Sequence, residues 1–266
     1  MLNDSLFSIY KRQVVVKGCL AFYVICLTST ISHSAHAIVN IESLRVRAGD
    51  ATGWSSAGNI QASGASGNSD RAEVSLSGLI QHLDDGFSNL LVIGSEYGET
   101  AGDRTADEQL IHIRHTRALT ETYDWEAFYQ WQQNEFTRLE ERTLFGSGLR
   151  LRFSDESGSG LYLGIGAFYE STRNDNETAR EIGRSNIYLS YRKRTKKNVS
   201  LVTTSYFQNK LDDPDDQRAI GSFSVSIPAT EYVDFTVSIN VEHDSRPFDG
   251  VEKTDWTYKT GFGWKF

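Results

Sequence analysis

Four histidines lie beyond residue 37: His82, His112, His115 and His243. They are the side chains best suited to proton transfer or metal binding near neutral pH. His112 and His115 are three apart, so an extended strand puts them on opposite faces, where they cannot share a metal. His243 precedes Asp244, an acid–base pair of the kind a membrane hydrolase needs, and serines are plentiful in the chain. No G-x-S-x-G and no strand-turn-helix context accompanies it. Gly160, Gly164 and Gly166 loosely follow a nucleotide fingerprint but sit in an alternating strand with no helix after them. Small residues there let a sheet pack closely. The run Asp212-Asp213-Pro214-Asp215-Asp216 offers hard oxygens for a divalent cation, without the glycine and spacing of a calcium loop. It reads as a solvated loop. Arg192, Lys193, Arg194, Lys196 and Lys197 crowd one turn, where they would suit lipid phosphates. The expectation is no catalytic, metal-binding or cofactor-binding residue, and hence no enzyme.

What would position these groups is read from composition and period. The chain has 266 residues, 39% hydrophobic and 12% aromatic, with a mean hydropathy of -0.42. No run reaches the ~18 apolar residues of a spanning helix. A formal charge of -8 argues against a nucleic-acid surface. Residues 1–37 show a basic lead (Lys11, Arg12, Lys17), an apolar run from Gly18 to Ile31 and an Ala35-His36-Ala37 exit. That order predicts a secretory signal peptide cleaved after Ala37. Both cysteines, Cys19 and Cys26, fall inside it, so the exported chain has no thiol chemistry.

After residue 52 the period is two. Trp256, Tyr258, Thr260, Phe262, Trp264 and Phe266 share one face of the last segment, and Val233, Phe235, Val237, Ile239 and Val241 one face of the segment before it. Twelve such segments are predicted, near 56–65, 71–83, 87–98, 106–118, 122–134, 142–154, 159–171, 180–193, 197–209, 217–228, 231–244 and 253–266. Each is long enough to cross a bilayer as a tilted strand, and an even number suits a bacterial barrel. Connections after even segments are short (Asp84-Asp85-Gly86, Thr195-Lys196), and those after odd ones are mostly longer and acidic, as expected of periplasmic turns and outer loops. Trp125 and Trp131, like Trp256 and Trp264, are spaced for the two edges of an apolar band. The opposite face carries Glu73, Glu126, Gln130, Gln132, Arg150, Arg152, Glu242, Lys259 and Lys265, which either line a narrow pore or pair into a network that closes it. Because hydrocarbon cannot satisfy an open sheet edge, the first strand must pair with the last.

Two loops carry a family signature: Gly67-Asn68-Ser69-Asp70 after the first segment, and Gly250-Val251-Glu252-Lys253-Thr254-Asp255 before the last, with Asp244 and Pro247 just upstream. Over residues 53–266 the chain resembles the salt-induced outer-membrane proteins of Gram-negative bacteria, a domain of unknown function. The resemblance implies an outer-membrane barrel with no established activity. Phe266, ending a series of alternate aromatics, looks like the signal read by the barrel-assembly machinery.

The sequence therefore predicts an all-β protein, a transmembrane antiparallel up-and-down β-barrel of about twelve strands. Its expected parts are the signal peptide (1–37), an N-terminal periplasmic segment or plug (38–52) and the barrel (53–266). Expected partners are outer-membrane lipid, lipopolysaccharide and the assembly machinery, with the chain a monomer. A hydrolase using His243, or a soluble periplasmic β-sandwich, are the alternatives.

Overall fold

The computed structural model describes residues 41–42, 52–65, 71–100, 103–134, 139–156, 159–174, 179–247 and 253–265. The signal peptide, most of the 38–52 segment, Gly67–Asp70, Gly250, Glu252 and Phe266 lie outside the described residues. Twelve strands follow in order. They are β1 (Gly53–Ala65), β2 (Arg71–Asp84), β3 (Phe87–Thr100), β4 (Asp103–Ala118), β5 (Tyr123–Asn134) and β6 (Leu139–Glu156). Then come β7 (Ser159–Asn174), β8 (Arg180–Arg194), β9 (Ser200–Lys210), β10 (Gln217–Pro228), β11 (Val233–Asp244) and β12 (Thr254–Lys265). Each pairs antiparallel with its neighbour, and β1 meets β12 from Ala57↔Lys265 to Ile60↔Phe262, closing the barrel. Closure leaves no sheet edge to be satisfied by solvent.

Parity decides which side each residue faces. Along β8 the burial pattern alternates without a break, with Arg184, Asn186, Tyr188, Ser190 and Arg192 buried and Ile187, Leu189 and Tyr191 exposed. The exposed set is the apolar one. Phe145 is 63% exposed and Tyr258 69%, and the register joins Ile165, Ile187 and Phe207 across three adjacent strands. A continuous exposed apolar belt over a polar interior inverts the arrangement of a soluble domain. At the short-turn rim the belt ends in a ribbon of rings, Trp54–His82–Phe87–His115–Trp125, with centroids 4.7, 5.9, 6.2 and 5.8 Å apart. Amphipathic rings belong where hydrocarbon meets head groups.

The turns explain themselves locally. Asp85-Gly86 joins β2 to β3, with Gly86 at a φ of 86° that a side chain would resist. The β4–β5 and β10–β11 turns share one device, in which the Thr120 and Thr230 hydroxyls each accept two backbone N–H bonds. The β8–β9 turn is longer than the Thr195-Lys196 pair expected. It runs to Val199 because Asn198, at φ 59°, and the Thr195 side chain close a wider turn. Between β3 and β4 the strands run past the expected segment ends at 98 and 106, since pairing continues through Glu99↔Arg104 and Thr100↔Asp103 past a bulge. Backbone pairing does not stop where apolar side chains do.

Candidate functional site in the barrel lumen

Inward-facing side chains of β4–β10 form three levels. Nearest the longer loops, Glu170 receives three arginines: Arg142 at 3.2 Å, Arg184 at 2.9 Å and Arg218 at 2.8 Å. Arg184 goes on to Asp216 (2.9 Å) and Arg218 to Asp244 (2.7 Å), so three cations face three carboxylates. Thr172 Oγ1 donates to Glu170 as well (3.0 Å). Glu170, Arg142 and Arg184 are at most 2% exposed. Removing one member of such a network strands the others in a low-dielectric interior.

The middle level is apolar: Phe128, Leu144, Phe168, Tyr188, Tyr206 and Ile220. Its rings fit over glycines. A Cβ at Gly164 would collide with the Tyr188 ring, and one at Gly146 would lie 2.5 Å from Phe128. Of the glycines read as close-packing residues, Gly160 and Gly164 make room for tyrosine rings, and Gly166 lets β7 approach the Ser147–Gly148 backbone. Beside this level His112 lies 3.0 Å from Gln130, whose amide reaches Gln132.

Toward the short turns, Tyr188 donates to Glu126 (2.6 Å), and Arg150 and Arg114 approach the same carboxylate at 3.9 and 3.5 Å. Arg152 pairs with Asp124. Arg150 and Arg192 lie over the Tyr162 ring at 4.0 and 5.2 Å. The remaining partner of Arg150 comes from outside the wall. Glu42 sits in its fork at 2.8 and 3.2 Å, and Ile41 packs with Leu79, Leu90, Val92 and Leu110. Three contacts are chords that skip two intervening strands: Glu126–Tyr188 (β5 to β8), Glu170–Arg218 (β7 to β10) and Glu96–Lys259 (β3 to β12).

Sequence reading places Glu126, Gln130, Gln132, Arg150 and Arg152 in this interior correctly. Lys259 pairs with Glu96, Lys265 approaches Asp234 at 3.8 Å, and Glu242 is half-buried. It missed Glu42, Arg114, Arg142, Glu170, Arg184, Arg218 and Tyr188. All but Glu42 stand at inward parity on their strands, a usable signal once the apolar parity is assigned outward.

Other candidates are dispersed. His243 is exposed and 2.8 Å from Thr254 Oγ1, while Asp244 points inward to Arg218, so strand alternation separates the acid–base pair. His115 meets Asn89 outside and His112 lies inside. In the second family motif, Lys253 O accepts from Asp244 N and Asp255 stands opposite Glu242 in the register, so its described residues close the β11–β12 hairpin. Among the described residues no set of three His, Cys, Asp or Glu side chains could hold a metal ion. The acidic run has separate cationic partners: Asp212 takes Lys210, Asp213 takes Arg246 and Asp216 takes Arg184.

The Asp213–Arg246 pair ties the β9–β10 loop to the β11–β12 loop above the barrel. The hydrogen bond from Arg246, and then its charge, hold the Asp213 carboxyl below its ordinary value of 3.8. A depressed acid adds stability above its unfolded pKa and loses it as pH falls through the folded one. Amide protection in residues 211–216, exchange taken relative to the intrinsic rate at each pH, is therefore expected at neutral pH and is lost as pH falls below about 4. Asp213→Asn should remove that protection at both.

A closed barrel with an even number of antiparallel strands, an apolar belt outside and charge inside defines the class of outer-membrane β-barrels. No helix among the described residues is long and apolar enough to cross a membrane. The model of a family described as a protein of unknown function, DUF481, matches residues 59–266, and the chain belongs to that family. No curated protein matches the sequence. Among solved structures, the NanC porin is similar with a TM-score of 0.52 at 8% identity, over 80% of this chain and 100% of that one. The translocator domain of the autotransporter NalP from Neisseria meningitidis aligns over 85% of this chain and 91% of its own at 8% identity, TM-score 0.45. The KdgM porin in complex with disordered oligogalacturonate aligns over 80% and 99% at 12% identity, TM-score 0.41. The likeness to NanC is one of fold.

Proposed function

We propose that this chain is a monomeric barrel of the bacterial outer membrane, held among lipid and lipopolysaccharide after insertion by the assembly machinery. It serves the envelope as a structural component whose lumen is closed at rest, and it performs no catalysis. The observation that carries this reading is the buried polar network of the interior, with the chords that cross it. An open diffusion pore keeps its lumen charges hydrated, whereas Arg142, Arg184 and Glu170 are 1–2% exposed and paired through Glu170, and Gln130, 0% exposed, bonds His112 and Gln132. Barrels larger than eight strands leave interior space. Here arginine forks and stacked rings take it up. A role under salt stress rests on the loop motifs alone, and abundance of the protein in low- and high-salt cultures would test it.

The functional test is conductance. Refolded protein in a planar bilayer is expected to be silent. Stable ionic steps from the wild-type chain would show instead that it is a constitutive pore.

A further inference from the structure

Among the described residues of the lower charged level, Glu42 alone does not belong to a strand. Its carboxylate is 1% exposed and reaches Arg150 from 108 positions away in sequence. Strand carboxylates such as Glu126 are fixed in the wall, but a group upstream of β1 is held by its contacts and can leave. The fork that receives it is built without it. The Tyr162 ring lies 4.0 Å from the Arg150 guanidinium and the Tyr188 hydroxyl 3.2 Å, so its plane is set by the wall. Beside it are two buried donors with no hydrogen-bond partner among the described residues, Arg114 Nε and the Tyr206 hydroxyl, in side chains 3% and 2% exposed. Buried donors left unpaired forgo the bonds they made to water.

We propose that the Arg150 fork, with Arg114 and Tyr206 beside it, is a binding site for a carboxylate-bearing solute, which Glu42 occupies in cis. A planar two-oxygen acid meets an arginine through two parallel N–H···O bonds, the geometry Glu42 already shows. A solute carboxylate takes the same place once Glu42 leaves the fork, and its remaining polar atoms face Arg114 and Tyr206. The proposal rests on the reading of a lumen closed at rest, with Glu42 as one of its closing groups.

The test uses the full chain refolded in detergent and glutarate as probe, read by calorimetry. Glu42 lowers the fraction of competent sites, and apparent affinity falls in proportion. Glu42→Gln is therefore expected to bind glutarate about tenfold or more tightly than wild type. Adding Arg150→Gln, or Arg150→Lys should that variant fold better, is expected to remove the gain. A shift in gel migration between the unheated and the heated protein verifies that each variant is folded. Equal affinity of wild type and Glu42→Gln would overturn the proposal, as would undiminished binding in a folded Arg150 variant. Binding is read without current, so conductance from the wild-type barrel would refute the closed-lumen reading without deciding this one.

Discussion

Glu170→Gln is expected to destabilise the folded barrel by about 3–5 kcal/mol, the scale for breaking a buried ion network by removing one partner. Three guanidiniums converge on this carboxylate. An amide keeps the shape but not the charge, so Arg142, Arg184 and Arg218 are left repelling one another where water does not reach. The native set as a whole adds little, because desolvation offsets most of the attraction. The effect is thus asymmetric, and Glu170→Asp should recover part of the loss. Urea unfolding followed by tryptophan fluorescence measures it. A loss within about 1 kcal/mol would mean that the network behaves like a solvated surface pair.

The second large effect concerns the outer face. Ile187 stands at the middle of β8, 45% exposed, between Ile165 and Phe207. In a bilayer Ile187→Arg is expected to cost about 2–4 kcal/mol, while the same charge at Glu181, near the end of that strand, costs about 0–1. The gradient between the two positions is the informative quantity. A soluble β-sandwich facing water would show neither cost at these exposed positions. Unfolding in lipid vesicles, compared between the two variants, reads the gradient.

The strands were legible because outward apolar parity persists through each of them. Trp256, Tyr258 and Phe262 on β12 and Val237 and Ile239 on β11 are exposed as the alternation required. Strand ends were less so, since β3 and β4 pair through charged residues up to Thr100 and Asp103 that carry no apolar signal. In the lumen, parity tells that Glu170 and Arg218 point inward but not that they meet. That depends on how strands eight and nine bring β7 and β10 together. Glu42 had no signal at all, lying before any period begins. His243 and Asp244 show the converse, where neighbours in sequence suggested a pair and alternation placed them on opposite sides of the wall.

If acyl chains surround the exposed apolar belt, a probe placed on it meets hydrocarbon and not water. Both cysteines precede residue 37, so a chain lacking Cys19 and Cys26 can carry one spin label at a chosen belt position. Labels at Ile187 and Phe223, in vesicles, are predicted to collide often with dissolved oxygen and rarely with a water-soluble nickel chelate. Frequent nickel collisions, or protection from both reagents, would contradict the account.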